Sequence, residues 1–565
     1  MKRCPQCGRE YDSTMVFCLD DGTELLYGPA STDDPATAIL HETAPPGEAA
    51  TRAQVHTTDL TAVMPSGTVG VPQAKGFDKR PVFALLAISV VLIGGLFGFR
   101  YVTQGKQIES IAVMPFVNDS GNPAVEYLSD GMTETLIKSL SQIPNLAVKS
   151  RSTVFYYKGK EVTPKKIGEE LGVQAVLLGH VGGKGDDLKL SLELVNAQTQ
   201  DVIWSEQYDR KQSDLVNLQS DIAKAVSAKL RSKLSGEEEA KVSKSATTSP
   251  EAYQAYLKGR YYWNQRTAEN VRLAIQQFRT ATEIDPNYAL AYTGLADCYV
   301  LLPEYAGSPP RDAVTQAKTF ADRAIAIDDQ AGETHATLAM IHNQLWEWTD
   351  AEKEFKRAIE LSPNYATAYH WYSILLKNMG RFEEAGRVIR HAAELDPLSG
   401  AIGNNVAMIY QVENNDEASI KTSLRVTELY PNYGRAYEYL GLSYLRMGRK
   451  DEAVTTMEKA VELSKRQNVI LSELGYVYAR AGKRKEAMSL AEELEGKYAR
   501  NEAAGHEVAA IYSGLGEKDE AFEWLEKDFQ NRDSRLPSFR WEMQFEPLRD
   551  DPRFKDLVRR IGLPE

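Results

Sequence analysis

Three of the four cysteines of this chain, Cys4, Cys7 and Cys18, stand close together at its start, in CPQCGREYDSTMVFCLDDG. Cys-x-x-Cys followed by glycine turns the backbone so that two thiolates converge on one cation, and Cys18 with Asp21 repeats the two-residue gap. The pattern predicts a zinc ribbon over residues 1–26, with Cys4, Cys7, Cys18 and Asp21 as ligands of a structural zinc. The fourth ligand is open here, because Asp20, Glu24 or a water also offers an oxygen. A redox dithiol is disfavoured, since this Cys-x-x-Cys lies outside any βαβ pattern.

Other strings approach catalytic motifs and stop short. His506-Glu507 opens a His-Glu-x-x-His string, but its fifth position is Ala510. The run from Gly182 to Gly185 joins two expected strands with no Lys-Ser/Thr opening a helix, so it reads as a hairpin turn and not a phosphate loop. There is no Gly-x-Ser-x-Gly elbow and no kinase catalytic string. No catalytic residue is assigned, and the chain reads as a non-enzyme.

The elements around these residues are those of several domains. At 565 residues, about three to four domains of ordinary size are expected. With 43% hydrophobic and 26% charged residues and a mean hydropathy of -0.40, a multispan channel or transporter is excluded. The net charge of -13 and pI near 5.4 give no global basic field. In the ribbon Lys2, Arg3 and Arg9 face Glu10, Asp12, Asp20, Asp21 and Glu24, which argues against nucleic acid as a partner. Four cysteines also exclude a disulfide-stapled scaffold.

Residues 27–76 are rich in Pro, Thr, Ala, Gly and Ser without apolar periodicity, as a disordered linker would be. PVFALLAISVVLIGGLFGF, residues 81–99, carries no charge and would span about 28 Å as a helix, close to the hydrocarbon thickness of a bilayer. It predicts one transmembrane helix, retained as an anchor because a long segment precedes it. Lys75, Lys79 and Arg80 outweigh Arg100 and Lys106, so the expected protein is a single-pass inner-membrane one, N-terminus cytoplasmic and later domains periplasmic. Gly94 and Gly98 have the spacing that lets two such helices approach, so a homodimer is one expectation, although the spacing is common by chance.

After this segment strand and helix signals alternate. QIESIAVMPF, LAVKS and three strands within residues 173–209 frame helices at AVEYLSDGMTETLIKSLSQI, TPKKIGEELG and about 215–230. His180 is read as a strand side chain. The strings IAVMPFVNDSGNPAVEYLSDGMTETLIKSLSQI, SRSTVFYYKGK, IGEELGVQAVLLGHV and VIWSEQYDR resemble the TolB amino-terminal-like domain over residues 107–234. That resemblance implies a periplasmic, noncatalytic α/β domain, and it implies that the ribbon stands where family members carry a winged helix, a cyclase or a kinase.

From Ser249 a period of 34 governs the chain, since Pro363, Pro397 and Pro431 stand 34 apart. In phase come Ala296 with Tyr299, Ala407 with Tyr410, Gly441 with Tyr444, Gly475 with Tyr478 and Ala509 with Tyr512. Small residues mark where paired helices touch, and each aromatic fills the adjoining gap. This resembles the tetratricopeptide repeat, with about eight repeats over residues 250–530, one lengthened near LLPEYAGSPPRD, and a closing segment over 531–565. Cys298 then falls on a buried helix surface as a small core residue.

The phase places the first helix of each pair on the concave face. His370, Trp371, Lys377 and Asn378, then Asn404 and Asn405, then Arg435, Glu438, Tyr439 and Arg446 are thereby predicted to line a groove for proteins or extended peptides. The carboxylate clamp of some family members is not reproduced, because His370 and Ile374 occupy its first Lys and Asn positions while Asn405 and Arg435 match in part. The fold class expected is multidomain: zinc ribbon, single transmembrane helix, TolB-like α/β domain and all-α solenoid. The function expected is a noncatalytic, membrane-anchored interaction scaffold. The alternatives are a signalling or transcription regulator working through the ribbon, or an accessory protein of envelope assembly or transport.

Overall fold

A computed structural model describes residues 108–143, 145–230, 235–236, 242, 244–306 and 310–564, together with an isolated strand pair near the N-terminus. That pair, β1 (Lys2–Arg3) and β2 (Glu10–Tyr11), is antiparallel and brackets the CPQCGR segment in sequence. The expected ribbon ligands Cys4, Cys7, Cys18 and Asp21, the expected linker 27–76 and the apolar segment 81–99 lie outside the described residues. The expected membrane location is corrected: among the described residues no helix is long and apolar enough to cross a bilayer. The longest helices, Ala289–Ala306 and Pro310–Ile327, have 18 residues each and carry charges such as Asp297, Asp312, Lys318 and Asp322.

The α/β layer is a six-stranded sheet of order β5-β3-β6-β7-β8, with β4 also on β6. β3 (Ser110–Val113) lies parallel to β5 (Ala147–Val148) and β6 (Ala175–Lys184), and the short β4 (Val117–Asn118) is likewise parallel to β6. β6, β7 (Asp187–Asn196) and β8 (Val202–Lys211) form an antiparallel meander. Alternation along β7 sends Leu188, Leu190, Leu192 and Leu194 inward and Asp187, Lys189 and Ser191 outward. Helices α1 (Glu126–Leu140) and α4 (Leu215–Leu230) share the core with those leucines through Leu128, Met132, Leu136, Ile222 and Val226. Between them run two short helices, α2 (Arg151–Phe155), capped by the Ser150 hydroxyl, and α3 (Pro164–Leu171), capped by Thr163 with proline at its first turn. Sequence patterning did not foresee α2, because five residues carry no period.

Eight helix pairs follow among the described residues: Pro250–Asn264 with Ala268–Ile284, Ala289–Ala306 with Pro310–Ile327, Gly332–Gln344 with Trp348–Leu361, Ala366–Asn378 with Phe382–Leu395, Gly400–Val412 with Asp416–Leu429, Glu438–Arg446 with Lys450–Leu463, Asn468–Ala481 with Arg484–Tyr498, and Gly505–Leu515 with Lys518–Asn531. The small residues of the repeat do what their spacing predicts. Gly259 and Gly294 both face the fully buried Phe278 ring, where a Cβ would stand 2.5 and 2.6 Å from its carbons. Cys298 is buried in the same core.

Two features turn this stack into a closed body. The α/β layer docks on the first repeat, where Gly131 of α1 lets Leu257 approach, and on the helix-pair junction at Asp396, whose carboxylate accepts from Ser152 and Thr153. At the other end residues 532–564 fold back over the third and fourth repeats. Trp348 Nε1 donates to Ile561 O at 3.3 Å and Trp541 Nε1 to Asn378 Oδ1 at 3.0 Å, while Trp346 of the third repeat stacks on Phe529 of the eighth at 6.0 Å.

A histidine within the third repeat carries a pH prediction. His335 lies 2.6 Å from the Glu354 carboxylate and 2.9 Å from Asp329 O. Burial disfavours the imidazolium, but those two oxygens outweigh it and raise its pKa, while the contact lowers that of Glu354. The raised histidine contributes stability below its ordinary 6.5 that is lost as pH rises through its folded value. The lowered glutamate contributes stability above its ordinary 4.5 that is lost as pH falls through its own. The pair therefore stabilises most between those two values. Thermal melts should show the Tm advantage of the wild type over His335→Gln shrinking from pH 6 to pH 8.5; an advantage constant over that range refutes it.

Candidate functional site

The first helix of each pair faces inward, so the repeat period writes rows of side chains across the concave surface. Trp371, Asn405, Tyr439 and Glu473 stand 34 apart, as do His370, Asn404 and Glu438. These rows line a cavity of about 1050 Å³, and all ten residues expected on the groove, from His370 to Arg446, reach it. It is not an open groove. Glu134, Arg151 and Ser152 of the α/β layer wall one side, and residues of the C-terminal segment, among them Arg540, Trp541, Glu542 and Gln544, wall another.

That enclosure changes the state of the expected residues. Lys377, Asn378, Asn404, Glu438 and Tyr439 are buried, whereas His370, Trp371, Asn405, Arg435 and Arg446 are half-buried. Several are engaged within the chain. Asn378 accepts from Trp541, Arg435 Nε donates to Glu438 Oε2 at 3.1 Å, and Arg446 reaches Gln411 O at 3.0 Å and Asn414 Oδ1 at 2.6 Å. Asn405 donates to Ala401 O on its own helix. Trp371 lies in the wall without a polar contact of note.

The remaining polar groups are the informative ones. Lys377 is 3% exposed, its Nζ 2.8 Å from Met408 Sδ and 3.7 Å from the Trp541 ring centre. Among the described residues no carboxylate stands within 4.0 Å of it, and burial pushes its pKa down to about 7 against the opposing pull of Glu542 and Glu438. His370, one face along the same helix, is pushed down to about 4 by burial and by the Lys377 and Arg266 charges, and its Nε2 has no hydrogen-bond partner. Asn404 Oδ1 and Glu473 Oε2 are likewise buried without a partner. Burial and the neighbouring Glu438 raise the Glu473 pKa, and burial raises that of Glu542.

Sequence reasoning missed Glu473, Trp541 and Glu542. Glu473 was within reach, because it continues the row of Trp371, Asn405 and Tyr439 by one period. Trp541 and Glu542 belong to a segment outside the repeat and carry no phase. His506, which opened the incomplete motif, is buried in the last repeat with its Nδ1 2.8 Å from Asp528 Oδ2. Asp528 also accepts from Gly505 N and His506 N, so the group caps a helix.

Comparison with known proteins agrees with the helical part. Residues 354–387 and 434–467 match tetratricopeptide repeat models. Residues 106–225 match the model described as HilA/YgeH-like transcriptional regulator, second domain. The match over the α/β layer is thus to that family, and a TolB-like assignment is not what it returns. Among curated proteins the chain is similar to one of Rhizobium meliloti (strain 1021) whose name provisionally assigns it as adenylate cyclase 3. The two are 33% identical over 245 residues, 43% of this chain and 42% of that protein. It is also similar to transcriptional regulator HilA of Salmonella typhimurium (strain LT2), 28% identical over 159 residues, 28% of this chain and 29% of that one. The chain spans less than half the length of both relatives. Solved structures similar to it include YrrB, a TPR protein with an unusual peptide-binding site. Its TM-score is 0.25 at 18% identity, covering 34% of this chain and 95% of that one. Another is the APC/C hetero-tetramer Cut9-Hcn1, with a TM-score of 0.39 at 14% identity, covering 62% and 63%. Neither likeness is high enough to carry a conclusion about this chain.

Proposed function

We propose that the protein is a noncatalytic scaffold that binds partner proteins or peptides through its repeat solenoid, with Trp371, Asn405 and Arg435 at the contact. One observation carries the reading: residues assigned to the concave face from repeat phase alone converge on one cavity that combines an aromatic ring, an amide and a guanidinium. Replacing the three residues together with alanine is expected to abolish recovery of crosslinked partners, and a thermal melt is read beside the assay because Arg435→Ala leaves the buried Glu438 carboxylate without its cation. Undiminished recovery moves the contact elsewhere on the solenoid.

A second reading is a regulator whose α/β layer and solenoid form the sensing part. The match of residues 106–225 to the second domain of HilA/YgeH-like regulators favours it. Transcript profiles of cells with and without the gene distinguish the two, since a scaffold alone leaves transcription unchanged. In either reading the N-terminal ribbon would hold a structural zinc through Cys4, Cys7 and Cys18, with Asp21 as the fourth ligand proposed. The thiolate spacing supports this. Metal analysis of the purified chain should find about one zinc, lost in the Cys4→Ser, Cys7→Ser variant; a metal-free wild type that holds its fold ends the proposal.

A further inference from the structure

The concave cavity is bounded by parts of its own chain that do not come away easily. On the C-terminal side Leu536, Phe539, Phe545 and Leu548 are fully buried, and the Met543 and Gln544 carbonyls accept from Tyr476 and Ser513. Freeing four such apolar side chains would expose a whole local core to water, so this segment is a wall and not a lid. On the other side Arg151 and Ser152 are held by Glu134 and Asp396. What is left is a cavity of about 1050 Å³, a volume that also accommodates a small molecule.

Among the described residues that line the cavity, Lys377 and Arg540 are in no ion pair, although Glu542 and Glu438 act on Lys377 from beyond 4.0 Å. Arg151 and Arg260 are paired with Glu134, Lys138 with Glu333, Arg435 with Glu438, and Arg446 with Asp416. Lys377 has only a thioether and an indole face. Groups that face it from the packed elements are Glu438 and Arg435, already paired with each other, Glu542 of the C-terminal segment, and His370 on its own helix. Burying an ammonium in this way is costly unless an anion completes the site. His370 Nε2 and Asn404 Oδ1 border the same space with no partner, the latter on a side chain 97% buried, since it is 3% exposed. An acceptor left open in the same cavity as a lysine without an ion pair fits a ligand that carries a negative group and a hydrogen-bond donor together. Trp371, Tyr439 and Leu442 supply apolar surface for its body.

We propose that this chamber is a binding site for a small organic anion, a hydroxy- or amino-carboxylate with an apolar or aromatic body, whose carboxylate lies against Lys377 Nζ. The site goes beyond the scaffold reading, which concerns macromolecular partners and stands or falls on their recovery. Binding draws a proton onto Lys377 wherever the free chain has lost it. Affinity is therefore highest below the lysine's free value of about 7 and declines above it.

Isothermal titration of the full chain with mandelate, a phenyl-bearing hydroxy-carboxylate, tests this, with neutral mandelamide and cationic phenethylamine as comparators. Mandelate is expected to bind, mandelamide at least about tenfold more weakly, and phenethylamine not at all. Between pH 6.5 and 8.5 the mandelate affinity should fall roughly 25-fold, the change set by a lysine titrating near 7. Lys377→Met should bind mandelate no better than wild type binds the amide, and should melt no lower, because it removes a buried charge held in no ion pair. Equal binding of mandelate and mandelamide, a flat pH profile, wild-type affinity in Lys377→Met, preference for phenethylamine, or no binding of any of the three would each overturn the proposal. The wild-type pH profile decides the matter even if the variant does not fold.

Discussion

Glu134→Ala is expected to destabilise the protein by about 3–5 kcal/mol and to detach the α/β layer from the first repeat. The carboxylate is one acceptor for three groups from two domains: Arg260 Nη2 at 2.6 Å, Arg151 Nε at 2.9 Å and Asn264 Nδ2 at 2.9 Å. Its side chain is 17% exposed and those of the two arginines 24% and 18%, so its loss leaves two guanidinium groups facing each other in a poorly hydrated place. Despite burial, the two arginine charges hold the Glu134 pKa below the ordinary carboxylate range, which agrees with a group present as the anion. Asp297 stands 3.5 Å from Arg260, and the next carboxylate acting on Arg151 is Asp130. The measurement is a thermal melt combined with limited proteolysis between residues 230 and 250. A variant that melts with the wild type and is cut no faster there would show that apolar contacts such as Gly131 on Leu257 hold the junction unaided.

Phe539→Ala should cost about 3–5 kcal/mol, the range for emptying a fully enclosed aromatic site. The ring is 0% exposed and lies 4.7 Å from Phe554 and 6.3 Å from Phe545, centre to centre. Its effect should reach beyond the local core. Phe539 anchors the turn that presents Trp541 to Asn378 and Lys377, so loosening it admits water to Lys377 and returns that amine toward ordinary basicity. Pulsed acetylation followed by peptide mapping should find Lys377 protected in the wild type and labelled in the variant. Equal labelling in both would mean that the C-terminal segment does not shield the chamber.

The two wall-forming contacts also mark where reading the sequence ran out. A 34-residue period states which side chains each repeat turns inward, because the same contact recurs and leaves its record in Ala296, Ala407, Gly441, Gly475 and Ala509. Strand alternation and the hairpin turn at Gly182 to Gly185 likewise announced the meander, and the Leu215–Leu230 helix has the bounds expected of it. Neither signal says what lies on top of an inward face. Ser152 and Thr153 meet Asp396 across more than 240 residues of chain, and Trp541 meets Asn378 across 163. Contacts so remote occur once and have no period. Lys377, Asn378 and Asn404 were therefore assigned to an inward face and taken as open to solvent, whereas they are buried in the cavity wall, and the lysine without an ion pair could not be recognised before its surroundings were known.

The stacking of Trp346 on Phe529 has a consequence for how the molecule comes apart. An open array of repeats melts from its ends, each unit answering only to its neighbours, and its amides exchange in a gradient from the termini inward. Here the third repeat is clasped to the eighth, and the α/β layer straps the first to the junction after the fourth, so no end is free to fray alone. Unfolding should be cooperative across the whole solenoid, with exchange protection nearly level along it. Folding should be slow for a helical protein, because the clasp forms only after a loop of about 180 residues has closed.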